Sequence, residues 1–294
     1  MTANRLAGLY APITTPFENK GEVARKRHAQ NVAHLCAAGL DGLLVAGSTG
    51  EAPLLDPEEQ RALIAASREA MPPEKWLIVG TGAEATRQAI ALSRAAGAEG
   101  AHAVVVRPPA YFGAVSPPAA IVAYFRAVAD ASPVPVLVYN MPKFTHVSIA
   151  PALIEELANH PNIAGVKDSS GDPQNLAAYR KAAPKWVVLA GSASLILTAL
   201  ELGCDGGVVG VACFAPQRCV EVVKAFRSGD RARATSLQEA LRPLDKEIVG
   251  RMGPAGVKAA MDVAGGGLYG GPVRAPLLDV TAADRDHIQR LLAA

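Results

Sequence analysis

Lys167 closes the apolar run Ile163-Ala164-Gly165-Val166, and its position carries the most specific chemistry in the chain. A lysine at the end of a buried strand brings its amine to the rim of the sheet, beside low-dielectric walls. Desolvation disfavours the ammonium there, so the amine can be neutral and nucleophilic near neutral pH. The matching reaction is a Schiff base with a keto acid; the bland reading is a lysine that snorkels to solvent. Tyr139 ends the run Val136-Leu137-Val138, one strand earlier. A phenol beside a forming carbinolamine can pass protons between amine, carbonyl oxygen and leaving hydroxyl. Taken without Lys167, it reads better as a core-edge tyrosine with its hydroxyl bonded.

Gly47-Ser48-Thr49-Gly50-Glu51 follows another apolar run. Its two glycines allow tight backbone geometry, and two hydroxyls with exposed amides could hold a carboxylate. No Gly-Lys-Ser/Thr follows, so this is not a nucleotide-binding P-loop. Glu51 reads as a hydrogen-bond acceptor that fixes the loop rather than as an acid catalyst. Arg107-Pro108-Pro109-Ala110-Tyr111-Phe112 is a loop stiffened by two prolines that presents an aromatic pair, suited to an interface plug or a lid.

Other chemistries find less support. The six histidines (His28, His34, His102, His146, His160, His287) form no HxH, HExxH or facial-triad spacing, so no catalytic metal is expected. The four cysteines (Cys36, Cys204, Cys213, Cys219) form no CxxC, which fits a reduced, cytoplasmic protein. There is no GxSxG elbow. Gly80-Thr81-Gly82-Ala83-Glu84-Ala85 matches the GxGxxG/A dinucleotide pattern, with Glu99 downstream. It falls in the third βα unit rather than the first, so a tight turn is preferred and no cofactor is expected. Gly265–Gly271 has no strand before it and reads as a turn.

These residues need elements to position them. The chain has 294 residues, half of them apolar, with 19% charged and only 5% aromatic. That profile suits helices packed over parallel strands buried on both faces. A net charge of +2 is no footprint for nucleic acid, and Arg25-Lys26-Arg27-His28 reads as a solvated helix face. The longest uncharged run, Pro108–Phe125, contains four prolines, so no membrane helix is expected. Met1–Thr14 shows no signal-peptide pattern.

The strand candidates are Leu9–Thr14, Gly42–Ala46, Trp76–Gly80, Ala103–Val106, Val136–Tyr139, Ile163–Lys167, Val187–Ala190 and Gly207–Gly210. Between them, Arg25–Ala38, Pro57–Ala70, Arg87–Ala96, Ala119–Ala129, Ala152–Ala158, Gln174–Ala182 and Leu195–Leu200 repeat apolar residues at helical spacing. Asp56-Pro57-Glu58-Glu59 and Asp172-Pro173-Gln174 mark helix starts; Gly39, Gly97 and Gly203 mark ends. Eight βα units predict an α/β fold, a (β/α)8 TIM barrel, over residues 1–226, with a C-terminal helical extension over 227–294. In that extension Arg231–Val249 and Pro254–Val263 read as helices. An open doubly wound sheet is the runner-up.

With these motifs in place, the chain resembles the dihydrodipicolinate synthase / N-acetylneuraminate lyase family. The resemblance rests on Gly47-Ser48-Thr49-Gly50-Glu51, Tyr139-Asn140-Met141-Pro142 and Gly165-Val166-Lys167-Asp168-Ser169, in order and at successive strand ends. It implies a class I, pyruvate-handling aldolase on a (β/α)8 barrel that works without a cofactor as a homodimer or homotetramer. By this resemblance Lys167 is the Schiff-base lysine and Tyr139 the proton-shuttling tyrosine. Thr49 relays protons to Tyr139, and Tyr111 is inserted into the neighbouring subunit's site. Ser48 and Thr49 receive the keto acid's carboxylate, and Val209 makes a backbone contact to pyruvate.

The synthase subgroup carries an arginine two residues after the proline of its Tyr-Asn-x-Pro motif, where it binds the second substrate's carboxylate. Here Lys143 and then Phe144 follow Pro142, and a phenyl ring cannot make that bidentate contact. His146 stands where many relatives have glycine. Pro161–Asp172, Leu189–Ala193 and the tail Gly256–Asp262 with Tyr269–Leu277 look more like the 4-hydroxy-2-oxoglutarate aldolases. That subgroup adds Ser169 and Gly191 as substrate contacts and implies cleavage of a 4-hydroxy-2-oxo acid to pyruvate and an aldehyde. The tail itself is expected to lie far from the chemistry. The rivals are the synthase, a 2-keto-3-deoxy sugar acid aldolase or dehydratase, and a non-catalytic keto-acid-binding protein.

Overall fold

A computed structural model describes residues 6–294; the first five residues of the N-terminal stretch read for a signal peptide lie outside the described residues. Eight strands, β1 (Gly8–Pro12), β2 (Gly42–Val45), β3 (Trp76–Gly80), β4 (Ala103–Val106), β5 (Val136–Asn140), β6 (Ile163–Asp168), β7 (Val187–Ala190) and β8 (Gly206–Val208), pair in chain order, all parallel, and close on themselves. β8 pairs with β1, so the sheet is a closed (β/α)8 barrel and the open-sheet alternative does not hold.

Period-two alternation divides each strand between two apolar clusters. Tyr10, Leu44, Ile78, Val105, Leu137, Leu189 and Val208 fill the barrel centre. Their neighbours Leu43, Val45, Val79, Val104, Val136 and Val188 join the layer between strands and helices. Both faces are therefore covered, which is why these strands read as continuous apolar runs.

The helix starts use the expected devices. In the helix Pro57–Ala70, the Asp56 N–H donates to Glu59 Oε2 at 3.0 Å. In Pro173–Ala182, Asp172 accepts from the Gln174 N–H at 2.8 Å. Gly39 and Gly203 end their helices with φ of 92° and 75°. Gly97 does not: it lies inside the helix Thr86–Ala98, and Gly100, with φ 90°, follows the true end. Gly97 is small because a Cβ there would lie 2.4 Å from Pro133 Cγ. The glycines of Gly80-Thr81-Gly82 likewise serve packing. A Cβ on Gly80 would meet the Ala46 carbonyl oxygen at 2.0 Å, and one on Gly82 the Arg107 nitrogen at 2.5 Å.

The last barrel helix, Pro216–Arg227, is followed by Arg231–Pro243, a π-helical segment Leu244–Gly250, and Arg251–Ala264. Gly253 takes φ 61° and breaks the last of these just before Pro254. A final helix, Ala282–Ala293, is absent from the sequence expectations, although Thr281 and Asp284 form a reciprocal cap that the sequence displays. Among the described residues no helix is long and apolar enough to cross a membrane.

Candidate active site

Two neighbouring strands build the centre of the site. Tyr139 pairs with Lys167 across β5 and β6, and Asn140 pairs with Asp168. Residues opposite one another share a face, and successive residues alternate. Tyr139 and Lys167 therefore enter the barrel mouth together, while Asn140 and Asp168 face outward. A register shift sets this phase: Val136 pairs with Ile163 but Leu137 pairs with Gly165, so Ala164 is an extra residue in β6. Without it Lys167 would lie opposite Asn140 and face the helices.

Lys167 is only 3% exposed, and its Nζ lies 4.2 Å from the centre of the Tyr139 ring. The outward pair locks the two strand ends. Asn140 Nδ2 donates to Asp168 Oδ1 at 2.7 Å, the Ile149 N–H donates to Asn140 Oδ1 at 3.0 Å, and Ser170 Oγ donates to Asp168 Oδ2 at 2.7 Å. Burial holds the Asp168 carboxyl above the usual range, although the bonds from Ser170 and Asn140 oppose it.

The Tyr139 hydroxyl lies 3.5 Å from Ser48 Oγ. Burial alone would push this phenol up. The positive charge of Lys167 and the hydrogen bonds from Ser48, Ser169 and Lys167 outweigh it, leaving Tyr139 below the ordinary phenol value. The relay expected of Thr49 is not seen: the loop hydroxyl beside Tyr139 belongs to Ser48, and Thr49 makes no hydrogen bond to Tyr139. Sequence spacing does not choose between two adjacent hydroxyls in a loop whose backbone bends sharply on either side.

Gly191 sits at the end of β7, where its N–H donates to the Asp168 carbonyl at 2.6 Å. A Cβ there would lie 1.9 Å from Ser169 Oγ, so glycine is what leaves Ser169 its place beside Tyr139. The Val209 N–H is engaged, donating to the Tyr10 carbonyl at 3.1 Å, and the Val209 carbonyl accepts from the Ala212 N–H at 3.1 Å. A backbone contact from Val209 would therefore have to use the second lone pair of its carbonyl.

Tyr111 is not brought to Lys167 within the chain. It is 83% exposed and stacks edge-on with exposed Phe112, ring centres 4.9 Å apart. The loop beneath it is built firmly. Glu84 accepts from the Ala110 and Tyr111 N–H groups at 2.8 and 2.9 Å and pairs with Arg107 at 2.8 Å.

A cavity of about 870 Å³ opens above the barrel, with Ser48, Tyr139, Arg107, Lys143, Phe144 and Arg251 on its wall. Phe144 is 48% exposed. Lys143 Nζ donates to the Gly250 carbonyl at 2.6 Å, so its charge is directed toward the C-terminal extension. All four cysteines are free and buried, and burial pushes the Cys36 and Cys204 thiols up to about 11, which removes them as nucleophiles. Among the described residues no three His, Cys, Asp or Glu side chains gather where they could hold a metal ion.

Glu51 fixes the loop, through partners that sequence reasoning missed. Its Oε1 lies 2.5 Å from Lys258 Nζ, and its Oε2 accepts from the Arg274 N–H at 2.9 Å. Both partners belong to the tail that was expected to lie far from the chemistry. The available signal was Lys258 itself, a single charge within the otherwise apolar run Gly256–Met261.

Comparison with known proteins follows the same outline. Residues 5–294 match the dihydrodipicolinate synthetase family. A 4-hydroxy-tetrahydrodipicolinate synthase of a Synechococcus species is 34% identical over 284 residues, 96% of this chain and 93% of that protein. YagE of E. coli, a prophage protein of the dihydrodipicolinic acid synthase family solved with pyruvate, superposes with a TM-score of 0.92 at 30% identity, covering 98% and 97% of the two chains. The chloride-inhibited dihydrodipicolinate synthase of Acinetobacter baumannii, also with pyruvate, gives a TM-score of 0.91 at 29% identity, over 98% and 97%.

Proposed function

This chain belongs to the dihydrodipicolinate synthetase family, and we propose that it uses Lys167 as the Schiff-base lysine of a pyruvate-dependent lyase. Members of the family are class I aldolases and lyases, and this chain is an enzyme of that class. The observation that carries the assignment is the register pair Tyr139–Lys167, with the amine 4.2 Å from the ring centre.

The Lys167 amine adds to the C2 carbonyl of a 2-oxo acid; the Tyr139 phenol gives its proton to the carbinolamine hydroxyl, water leaves, and an iminium remains beside the Tyr139 phenolate. In a 4-hydroxy-2-oxo acid the C4 hydroxyl gives its proton to the Tyr139 oxygen. The C3–C4 electron pair moves into the iminium, and the aldehyde leaves. The resulting enamine takes that proton from Tyr139 at C3, and water hydrolyses the iminium to pyruvate and free Lys167, the released proton returning to the Tyr139 oxygen. A phenol held below its ordinary value suits the proton-accepting step. Ser48, 3.5 Å from the phenol oxygen, relays the proton. Ser48 and Thr49 receive the substrate carboxylate, with Ser169, Gly191 and Val209 around it. The exposed Tyr111 loop is a contact with a second copy of the chain, in a homodimer or homotetramer.

Cleavage of a 4-hydroxy-2-oxo acid, with glyoxylate as the aldehyde in the 4-hydroxy-2-oxoglutarate case, is favoured by Phe144 on the cavity wall. The second reading, 4-hydroxy-tetrahydrodipicolinate synthase, is favoured by the relatives of that name at 34% identity. Incubation with pyruvate, borohydride reduction and peptide mass measurement test the common step. A pyruvate adduct on Lys167 is expected; a folded protein that yields none is no pyruvate aldolase. Turnover of glyoxylate against aspartate semialdehyde then separates the two readings.

A further inference from the structure

The loop between β2 and the helix Pro57–Ala70 carries the Ser48 hydroxyl and is closed by turns of its own, the Gly50 and Ala52 N–H groups donating to the Gly47 carbonyl at 3.1 and 3.2 Å and the Glu51 N–H to the Ser48 carbonyl at 3.1 Å, but those turns contain strained positions. Ala46 and Glu51, on either side of Gly47–Gly50, both take left-handed conformations, with φ of 53° and 57°. Each costs a non-glycine residue on the order of 1–2 kcal/mol. Such a geometry persists only where the surroundings impose it. Thr15 Oγ1 donates to the Gly50 carbonyl at 2.7 Å from within the barrel. The restraints on the Glu51 side chain come from the C-terminal extension.

Lys258 lies on the helix Arg251–Ala264, and Arg274 on the segment that follows. Lys258 Nζ reaches Glu51 Oε1 at 2.5 Å and donates to the Pro272 carbonyl at 2.7 Å; the two charged side chains are 1% and 0% exposed. Arg274 donates from its backbone to Glu51 Oε2 and from Nη1 to the Leu54 carbonyl at 2.7 Å. Its guanidinium also grips both oxygens of Glu59, at the start of the helix that ends the loop, at 2.6 Å each. Phe17, fully buried, lies under both cations, 4.4 Å from Lys258 Nζ and 4.3 Å from Arg274 Cζ. Lys258 is thus anchored on its own side by Pro272 and Phe17, and its contact across the gap is Glu51.

We propose that Lys258 is a positioning residue for the active site: through Glu51 it holds the Gly47–Gly50 loop so that the Ser48 hydroxyl faces Tyr139. The C-terminal extension is then part of the catalytic apparatus rather than a separate packing layer. A buried ion pair gives little net stability over an apolar pair of similar volume. What this pair supplies is a single fixed loop conformation. The part of the proposal that concerns Ser48 rests on the assignment of Tyr139 and Lys167 given above; the part that concerns the loop does not.

Lys258→Met alone would strand the buried Glu51 carboxylate and risks unfolding the protein. The test therefore uses Glu51→Gln/Lys258→Met, which removes both charges together and keeps an acceptor for the Arg274 N–H. Hydrogen–deuterium exchange is followed in peptides covering residues 46–55 and, as a control, β6. Exchange about tenfold faster in the loop, with β6 unchanged, is expected. Unchanged loop exchange overturns the proposal whatever the enzyme's substrate proves to be. In the same variant, borohydride trapping is measured against pyruvate concentration, well below the melting temperature. The half-saturating pyruvate concentration is expected to rise about tenfold, with the adduct still on Lys167. A purely structural role would lower the melting temperature and leave that concentration unmoved, which also overturns the proposal. Failure of wild type itself to trap pyruvate would instead count against the functional assignment, and the exchange result would stand apart from it.

Discussion

The Lys167 amine lies 4.2 Å from the centre of the Tyr139 ring, and the two residues face each other in register across β5 and β6. One extra residue in β6, Ala164, brings them to the same face of the sheet. The proposed nucleophile and its proton acceptor are thus held by backbone pairing, and the outward Asn140–Asp168 bond ties the same two strand ends together. The chemistry follows from that placement, and each element of it can be removed separately.

Lys167→Ala removes the amine that attacks the keto acid. No pyruvate adduct is expected after borohydride reduction, and turnover falls to background. A stable adduct on another lysine of the folded variant would refute the assignment.

Tyr139→Phe keeps the ring against Lys167 and removes the proton acceptor. Turnover should fall by roughly 10²-fold or more, the usual scale for a lost proton transfer, while adduct formation persists. Steady-state rates and mass measurement on one preparation check both halves; unchanged turnover excludes Tyr139 from the mechanism.

Ser48→Ala deletes a hydrogen bond to the Tyr139 oxygen. Burial raises this phenol, and Lys167, Ser48 and Ser169 lower it. With Ser48 gone, its titration should move upward, toward higher pH. Ultraviolet difference titration of the phenolate measures this, and the pH at which turnover loses its proton acceptor should move the same way. Thr49→Val should leave both positions unchanged; a shift there rather than in the Ser48 variant would return the relay to Thr49.

Gly191→Ala places a methyl group where it would meet Ser169 Oγ at 1.9 Å. Overpacking of this kind costs about 1–3 kcal/mol. The melting temperature should fall, and turnover should fall further in Gly191→Ala than in a Ser169→Ala/Gly191→Ala double variant, in which the closest clash is removed while the Asp168 carbonyl oxygen and the residue 169 Cβ stay 2.8 Å from the added methyl. Equal activities would mean that Gly191 acts otherwise than by making room for Ser169.

Phe144→Arg puts a guanidinium on the cavity wall, where a bidentate bond to a carboxylate becomes available. If the arginine contact is what the synthase reaction lacks here, kcat/KM for aspartate semialdehyde should rise at least tenfold relative to glyoxylate. An unchanged ratio means that the aldehyde partner is chosen elsewhere in the cavity.

Much of this molecule is legible in its linear pattern. The eight apolar runs became strands β1–β8, β3, β4 and β7 with the expected bounds and the others with one or both ends shifted by one or two residues, because strands buried on both faces need continuous aliphatic sequence. Proline and aspartate at the start of Pro57–Ala70 and Pro173–Ala182 identify those helices, because the first backbone N–H groups must find acceptors outside the helix. Lys167 and Tyr139 are visible as polar ends of apolar runs, and their neighbours Asn140 and Asp168 are explained once alternation is applied.

What the linear pattern leaves open are relations between segments. No spacing rule announces the extra residue at Ala164, yet that residue decides which face Lys167 takes, since a one-residue slip inverts a strand. Ser48 and Thr49 are adjacent hydroxyls, and only the backbone bends at Ala46 and Glu51 determine that Ser48 is the one facing Tyr139. The final helix and the Glu51–Lys258 pair belong to the same class. By itself the sequence determined the eightfold alternation of strand and helix and the residue types at the strand ends, because burial and capping are local demands written into composition and period; the pairing of β8 with β1 closed it into a barrel. Which of those side chains meet was decided by strand register, loop conformation and the return of a distant tail, which exist only once the barrel has closed.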